Sequence, residues 1–416
     1  QDRELVQKCS PGNYFGERAL LSEDTRAATC IAEGKVVCLT LDRPDFEKMI
    51  GSLKEYSDGR RRGRDRLPMA ARTESQVYAD KEIQWNDLEV VGMLGDGAFG
   101  RVSLVKNKNI PTGPDMKTYA LKAMQKRLIQ DRSLEEHTLN EIKVMKACKH
   151  PVLLKLYNAF QDEKRVYLLI ELCQGGELFD IMQEKGPFKE SHAKFYAASV
   201  TLGFEHLHNL KVCYRDLKPE NLLLDSQGFL KICDFGLSKV VMDKTYTMCG
   251  TPDYLAPEII LSEGHNKAAD YWALGILIYE TIIGEVPFYA DDPMDIYQQI
   301  LRHHLSFPYF KPSKVGKDIV RALLVKEPSK RIGNLIGGTS DIIKHKWFQG
   351  FDFEALVAQD ASKFDIPIRP VIKDTCDTSN FDISVIEPEQ TALRCNWKPP
   401  GFKMIPGSYG LDTVSE

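Results

Sequence analysis

No Cys-x-x-Cys pair occurs in this sequence. Its ten cysteines (Cys9, Cys30, Cys38, Cys148, Cys173, Cys213, Cys233, Cys249, Cys376 and Cys395) are scattered over 416 residues. That pattern argues against a zinc site or a disulfide framework, and for reduced thiols in a cytoplasmic protein. Net charge is small, at −4, so there is no excess of base to hold a nucleic-acid backbone. Long apolar runs are missing too. The longest, YWALGILIYETIIG (271–284), contains Glu280 and is too short to span a bilayer, so it reads as a buried helix. No signal peptide is visible. Residue 1 is Gln instead of Met, so a piece of a longer chain is expected, and an upstream membrane anchor is compatible with it.

What is present is a globular composition, 43% hydrophobic and 27% charged. At 416 residues the chain exceeds what one core supports, and two or more domains are expected. Residues 1–53 read as the end of a β-rich module. CIAEGKVVCLTLD (30–42) has β-branched runs around a Glu-Gly turn, and RPDFEKMIGSL (43–53) puts Phe46, Met49, Ile50 and Leu53 on one helix face. Residues 54–87 open with KEYSDGRRRGRDRLPMAARTES, polar and basic, and read as a solvated linker. An Arg-rich pseudosubstrate is the weaker alternative, because no apolar residue closely follows a suitable Arg-Arg step.

From Leu88 the texture changes. LEVVGMLGDGAFGRVSLVK (88–106) reads as strand, glycine turn, strand, with further strands at TYALKAM (118–124) and RVYLLIEL (165–172). SLEEHTLNEIKVMKAC (133–148) reads as an amphipathic helix. After GGELFDIM (175–182) the pattern is helical, through AKFYAASVTLGFEHLHNL, KAADYWALGILIYETIIG and PMDIYQQILRHH. The expected fold class is α+β: a small β-rich lobe, a large helical lobe over the rest of 88–348, and an extended tail over 349–416.

GDGAFG (95–100) sets Gly95, Gly97 and Gly100 in a G-x-G-x-x-G spacing. Alone the motif is weak, and a dinucleotide-binding loop would open a helix, whereas RVSLVK continues here as a strand. A glycine hairpin lets backbone N–H groups approach phosphates, since no Cβ intrudes. Lys122 on a half-buried strand supplies a point charge and needs a partner, for which Glu141 stands in the next helix. In YRDLKPEN (214–221), Asp216 is placed to accept a proton from a hydroxyl and Lys218 to neutralise charge on a transferring group. Asn221 offers an amide oxygen to a divalent metal, and Asp234 of DFG (234–236) is the stronger ligand. Mg²⁺ prefers such sparse oxygen ligands together with substrate phosphates. TPDYLAPE (251–258) follows, and Arg331 can pair with Glu258.

In this order over 88–348, these residues resemble the protein kinase signature set. The resemblance implies a bilobal kinase fold that binds ATP and Mg²⁺. It assigns Lys122 to the α- and β-phosphates, Glu141 to Lys122, Asp216 to the base role, and Asn221 and Asp234 to magnesium. Gly95, Gly97, Gly100, Val102 and Ala120 fall in the implied ATP pocket, Ile170 at its back, and Glu171 and Cys173 in the hinge beside it. Tyr214 in place of the commoner His, with CGTPDYLAPE and the tail, is similar to the AGC group. NFD (380–382) resembles the tail segment that brings an aromatic, Phe381, over the adenine. Residues 395–416 depart from that group's tail and hold no Phe-x-x-Phe. By the same resemblance Thr247 is an activation-segment phosphosite, and Glu177, Glu220 and Glu280 bind basic residues preceding the target Ser or Thr.

NYFGERALLSEDTRAATC (13–30) resembles the phosphate-binding cassette of cyclic-nucleotide-binding β-barrels, whose C-terminal part residues 1–53 would be. The resemblance implies that Glu17 accepts the ribose 2′-OH and that Arg26 pairs with the cyclic phosphate, helped by backbone N–H groups near Gly16 and Ala19. A cassette and an AGC-type kinase on one chain is the arrangement of the cGMP-dependent protein kinases. Ala27 argues the other way, since cyclic-GMP sites commonly carry Thr or Ser there. A cAMP-responsive kinase of the same build, or a scaffold that binds without transferring phosphate, are the alternatives. Lys122, Asp216, Asn221 and Asp234 weigh against the scaffold. The implied partners are cGMP and protein substrates with basic residues before Ser or Thr; no nucleic acid and no membrane span are expected.

Overall fold

The computed structural model describes residues 83–97, 100–110, 116–308, 312–381 and 392–405. All of these lie in the second of the two units into which the chain divides, Glu74–Glu416. Its small lobe is built on β1 (Leu88–Gly97), β2 (Gly100–Asn107) and β3 (Thr118–Gln125), paired antiparallel in sequence order. Two short helical segments follow, α1 (Lys126–Asp131) and α2 (Glu135–Ala147). The chain then returns through β4 (Leu156–Gln161) and β5 (Arg165–Ile170). Asp162 makes the turn between them, its Oδ1 accepting the N–H groups of Lys164 and Arg165 at 2.7 and 2.6 Å. Trp85, within the stretch expected to be linker, is buried against Phe160 and Tyr167.

The large lobe opens with β6 (Gly176–Glu177), α3 (Leu178–Lys185) and the long α4 (Glu190–Asn209). β7 (Val212–Cys213) leads into the hairpin of β8 (Leu222–Leu224) and β9 (Leu230–Ile232), and β10 (Lys239–Val240) pairs back on β7. That hairpin matters most for the site: Asn221 stands just before it and Asp234 just after it. The short α5 (Pro257–Ile260) and α6 (Ala268–Ile283) come next, then α7 (Pro293–Arg302) and α8 (Lys314–Leu323). α6 is apolar on nearly all sides and is buried on nearly all sides, as such a helix must be. Gly275 lets it meet α8 closely, since a Cβ there would lie 2.9 Å from the Cβ of Leu323. Two short helices follow, α9 (Thr339–Ile343) and α10 (Phe353–Val357).

The tail strand is announced by no pattern in the sequence. β11 (Lys403–Met404) comes from the tail and runs parallel to β4, giving a six-stranded order β1-β2-β3-β5-β4-β11. Gln161 Nε2 donates to the carbonyls of Pro399 and Phe402 at 3.1 and 3.2 Å. Phe402 is buried with Met124, Ile129, Ile142 and Leu168, and Trp397 packs against the same cluster. The stretch expected to be a plain extended tail is therefore partly sheet and partly core. Two residues are too few to show a period, and their hydrogen bonds come from a strand more than 200 positions away, so neighbouring sequence carries no sign of them.

Candidate active site

The glycine turn closes where Gly97 faces Gly100 across the hairpin. Gly100 has φ +149°, and a Cβ there would sit 2.0 Å from the carbonyl oxygen of Ala123, so only glycine fits. Gly95 borders open space. Behind the turn, Leu94, Leu104 and Ala120 form an apolar cluster that Val102, Ile170, Leu172, Cys376 and Phe381 complete. The structure thus brings together Val102, Ala120, Ile170 and Phe381, from three strands and the tail. Gln174 fastens that tail segment, donating from Nε2 to the carbonyls of Asp374 and Asp377 at 3.0 and 3.1 Å and accepting from Asn380 at 2.9 Å. Cys173 is buried beside it.

Lys122 Nζ lies 3.1 Å from Glu141 Oε1. The Glu141 carboxylate holds the ammonium well above its ordinary value against the opposing cost of burial, and Asp234 adds to the effect. Asp216 is buried, with Lys218 Nζ 3.5 Å from its Oδ2. Asn221 Nδ2 donates to the Asp216 carbonyl at 2.8 Å and to its Oδ2 at 2.9 Å. Burial raises the Asp216 carboxyl above its ordinary value, opposed by Lys218 and by the Asn221 bond. Both Asn221 bonds leave through nitrogen, which keeps its carbonyl oxygen able to accept. Asp234 sits in the left-handed region at φ +52°, its Oδ1 accepting the N–H of Gly236 at 3.0 Å. Arg215 is strained likewise at φ +70°.

Asp270, which sequence reasoning missed, holds that strained loop in place. Its Oδ2 accepts from Tyr214 N–H at 2.9 Å and its Oδ1 from Arg215 N–H at 2.8 Å, while His208 Nε2 stands 2.7 Å from Oδ2. A signal existed: a carboxylate in the first turn of a mostly apolar helix must have partners if that turn is buried. Glu258 and Arg331 make a buried bidentate pair at 2.7 and 2.9 Å.

Three carboxylates meet electrostatically. Partial shielding by its neighbours raises the Glu177 carboxyl although the side chain stays exposed, and Asp180 and Glu220 raise it further. Burial pushes Glu280 up to about 7, with Glu220 and Asp253 adding, although Tyr254 donates a hydrogen bond to it. In the activation segment Thr247 is exposed, while Lys239 Nζ donates to Thr245 Oγ1 at 3.1 Å. Arg215 Nε donates to the Leu237 carbonyl at 2.8 Å, and its Nη1 is buried with no partner among the described residues. Gly16, Glu17, Ala19, Arg26 and Ala27 lie outside the described residues. No helix among the described residues is long and apolar enough to cross a membrane.

A β-lobe bearing a glycine hairpin and a paired lysine, set on a helical lobe bearing Asp216, Asn221 and Asp234, is a bilobal kinase fold. The model of the protein kinase domain matches residues 88–348, and the chain belongs to that family. The model of the cyclic nucleotide-binding domain matches residues 1–52. The chain is 43% identical over 91% of its length to the cGMP-dependent protein kinase, isozyme 1, of Drosophila melanogaster, covering 50% of that protein. It is 38% identical to the human cGMP-dependent protein kinase 2, over 91% of this chain and 52% of the relative. For the cGMP-dependent protein kinase egl-4 of Caenorhabditis elegans the figures are 41%, 91% and 49%. The chain spans about half the length of these relatives.

Proposed function

We propose that the protein transfers the γ-phosphate of ATP to Ser or Thr hydroxyls preceded by basic residues, under control of cyclic GMP. The convergence of the Lys122–Glu141 pair with Asp216, Asn221 and Asp234 carries the proposal. Lys122 binds the α- and β-phosphates, and Glu141 keeps it charged and in place. Asp216, its carboxyl raised by burial, accepts the hydroxyl proton. Lys218 neutralises charge on the moving phosphoryl group. One carboxylate (Asp234) and one amide oxygen (Asn221) suit Mg²⁺, which takes few protein ligands and supplies charge neutralisation at the phosphates. The apolar cluster with Phe381 suits a purine, and the glycine hairpin suits phosphates.

Regulation by a cyclic nucleotide is supported by the match over residues 1–52 and by the relatives' names. Cyclic AMP is the second reading, favoured by Ala27. The test is phosphorylation of a peptide array by the full-length protein while each nucleotide is titrated. Activation at lower cGMP than cAMP, on peptides with Arg or Lys two and three positions upstream, is expected. A preference for acidic or proline-directed peptides would overturn the substrate assignment, and activation by cAMP first would overturn the cGMP assignment.

Glu177, Glu220 and Glu280 form the subsite for those basic residues, since crowded carboxylates are relieved by a guanidinium. With its carboxyl raised to about 7, Glu280 is half protonated near neutrality and loses its proton as Arg docks. Its contribution to stability is full below the unfolded value of 4.5 and is lost as pH rises through about 7, while affinity for Arg grows over the upper part of that range. The KM of an Arg-containing peptide is therefore expected to fall about tenfold from about pH 6 to about pH 8. Glu280→Gln should flatten the profile, and a flat wild-type profile would refute the coupling.

Thr247 is the regulatory phosphosite in this proposal, because it is exposed and Arg215 Nη1 is buried with no partner among the described residues. A phosphate gives such a donor its acceptor and orders the segment. Mass spectrometry of the active protein should find Thr247 phosphorylated. An unmodified Thr247, with full activity in Thr247→Ala, would exclude the role.

A further inference from the structure

Lys231 is the middle residue of β9, a strand otherwise made of Leu230 and Ile232, and is 4% exposed. Lysine carries a long flexible stem and ordinarily brings its charge to water. Here its Nζ lies 2.8 Å from Glu171 Oε1. Glu171 Oε2 accepts the backbone N–H of Lys155 at 3.2 Å, and the Glu171 N–H donates to the Lys155 carbonyl at 2.9 Å. Asp225, Cys173 and His150 also feel the ammonium, and Tyr157 feels Glu171.

The two ends of this pair belong to different parts of the site. Glu171 opens the hinge segment 171–173 between the lobes, next to Ile170 in the apolar cluster. Lys231 precedes Asp234 by three residues on a strand already clamped at Ile232, whose N–H donates to the Val152 carbonyl at 2.8 Å and whose carbonyl accepts from Leu154 at 2.9 Å. One ion pair, buried at Lys231 and half-buried at Glu171, thus ties the purine end of the cleft to the strand that delivers the metal ligand.

We infer that the Lys231–Glu171 pair is a positioning element that keeps the hinge and Asp234 in register, so that purine and phosphates are gripped together. The inference rests on the kinase reading above. A buried pair is weak evidence for stability, because desolvation offsets most of its attraction, but its geometry is specific. Lys231 acts through its pair with Glu171 and through β9.

The test uses the full-length chain, with MgATP affinity measured by calorimetry and KM and kcat by peptide phosphorylation. Lys231→Met is expected to weaken MgATP binding and raise its KM about tenfold, the loss of one charge-assisted bond, with peptide KM unchanged. Lys231→Arg should restore most of the affinity. Glu171→Gln should act in the same direction, and the double variant should be no worse than the poorer single. If Lys231→Met does not fold, the near-isosteric Glu171→Gln carries the measurement. Lowered melting temperature with unchanged MgATP affinity in the variants would overturn the inference alone. A wild-type chain that binds no MgATP would overturn the kinase reading and this inference with it.

Discussion

Replacing Asp216 by Asn is expected to slow phosphoryl transfer by about 10²–10⁴-fold while the fold survives. The change removes a negative charge and a proton acceptor but keeps the shape. Asn221 Nδ2 still finds the Asp216 carbonyl oxygen, which accepts at 2.8 Å in the native chain, so the loop keeps one of its two ties. Asp270 continues to hold Tyr214 and Arg215 from the other side. MgATP affinity should change little, because Lys122, Glu141, Asn221 and Asp234 are untouched. A steady-state assay of the purified variant, with circular dichroism to confirm folding, checks the outcome. Turnover near the native rate would remove Asp216 from the base role.

Replacing Arg331 by Met is expected to cost about 3–5 kcal/mol of stability, the usual consequence of stranding one half of a buried ion pair. Arg331 is fully buried, and all five of its N–H donors are engaged. Two go to Glu258, and the others to the carbonyls of Val325, Lys326 and Ala268. Met fills much of the space but leaves the Glu258 carboxylate buried without its cation and takes one donor from each of three carbonyls. Denaturant unfolding followed by tryptophan fluorescence measures the loss. Glu258→Leu added to Arg331→Met should recover part of it, since no charge is then left buried. A single variant as stable as the native chain would show that water reaches the site.

The parts of the site written in short contiguous motifs were legible. GDGAFG, YRDLKPEN and DFG are each one short contiguous stretch, so residue type and offset carry much of the geometry. Lys122 with Glu141 could be paired because a strand lysine needs a partner and the kinase resemblance picks Glu141 from the glutamates of the next helix. The rest depends on distant contacts. Asp270 looks like a blemish in an apolar helix until the catalytic loop is laid against it. Lys231 looks like strand filler until the hinge supplies Glu171. Gln174 gains meaning only from a tail segment about 200 residues on. Glu177, Glu220 and Glu280 could be grouped by resemblance, but the hydrogen bond from Tyr254 to Glu280 could not.

The tail strand has a consequence for how the chain is made. Until Lys403 and Met404 leave the ribosome, β4 is an open sheet edge, because its cover is encoded more than 240 positions after Phe160, its pairing partner. Parallel pairing over such a separation forms late, since the closure entropy comes before the contact rewards it. Throughout synthesis of the large lobe, the small lobe therefore carries unpaired N–H and C=O groups that another nascent chain could satisfy. Lys403 and Met404 close that edge, so synthesis has to pass through the tail strand, and not only through each lobe, before those groups are paired.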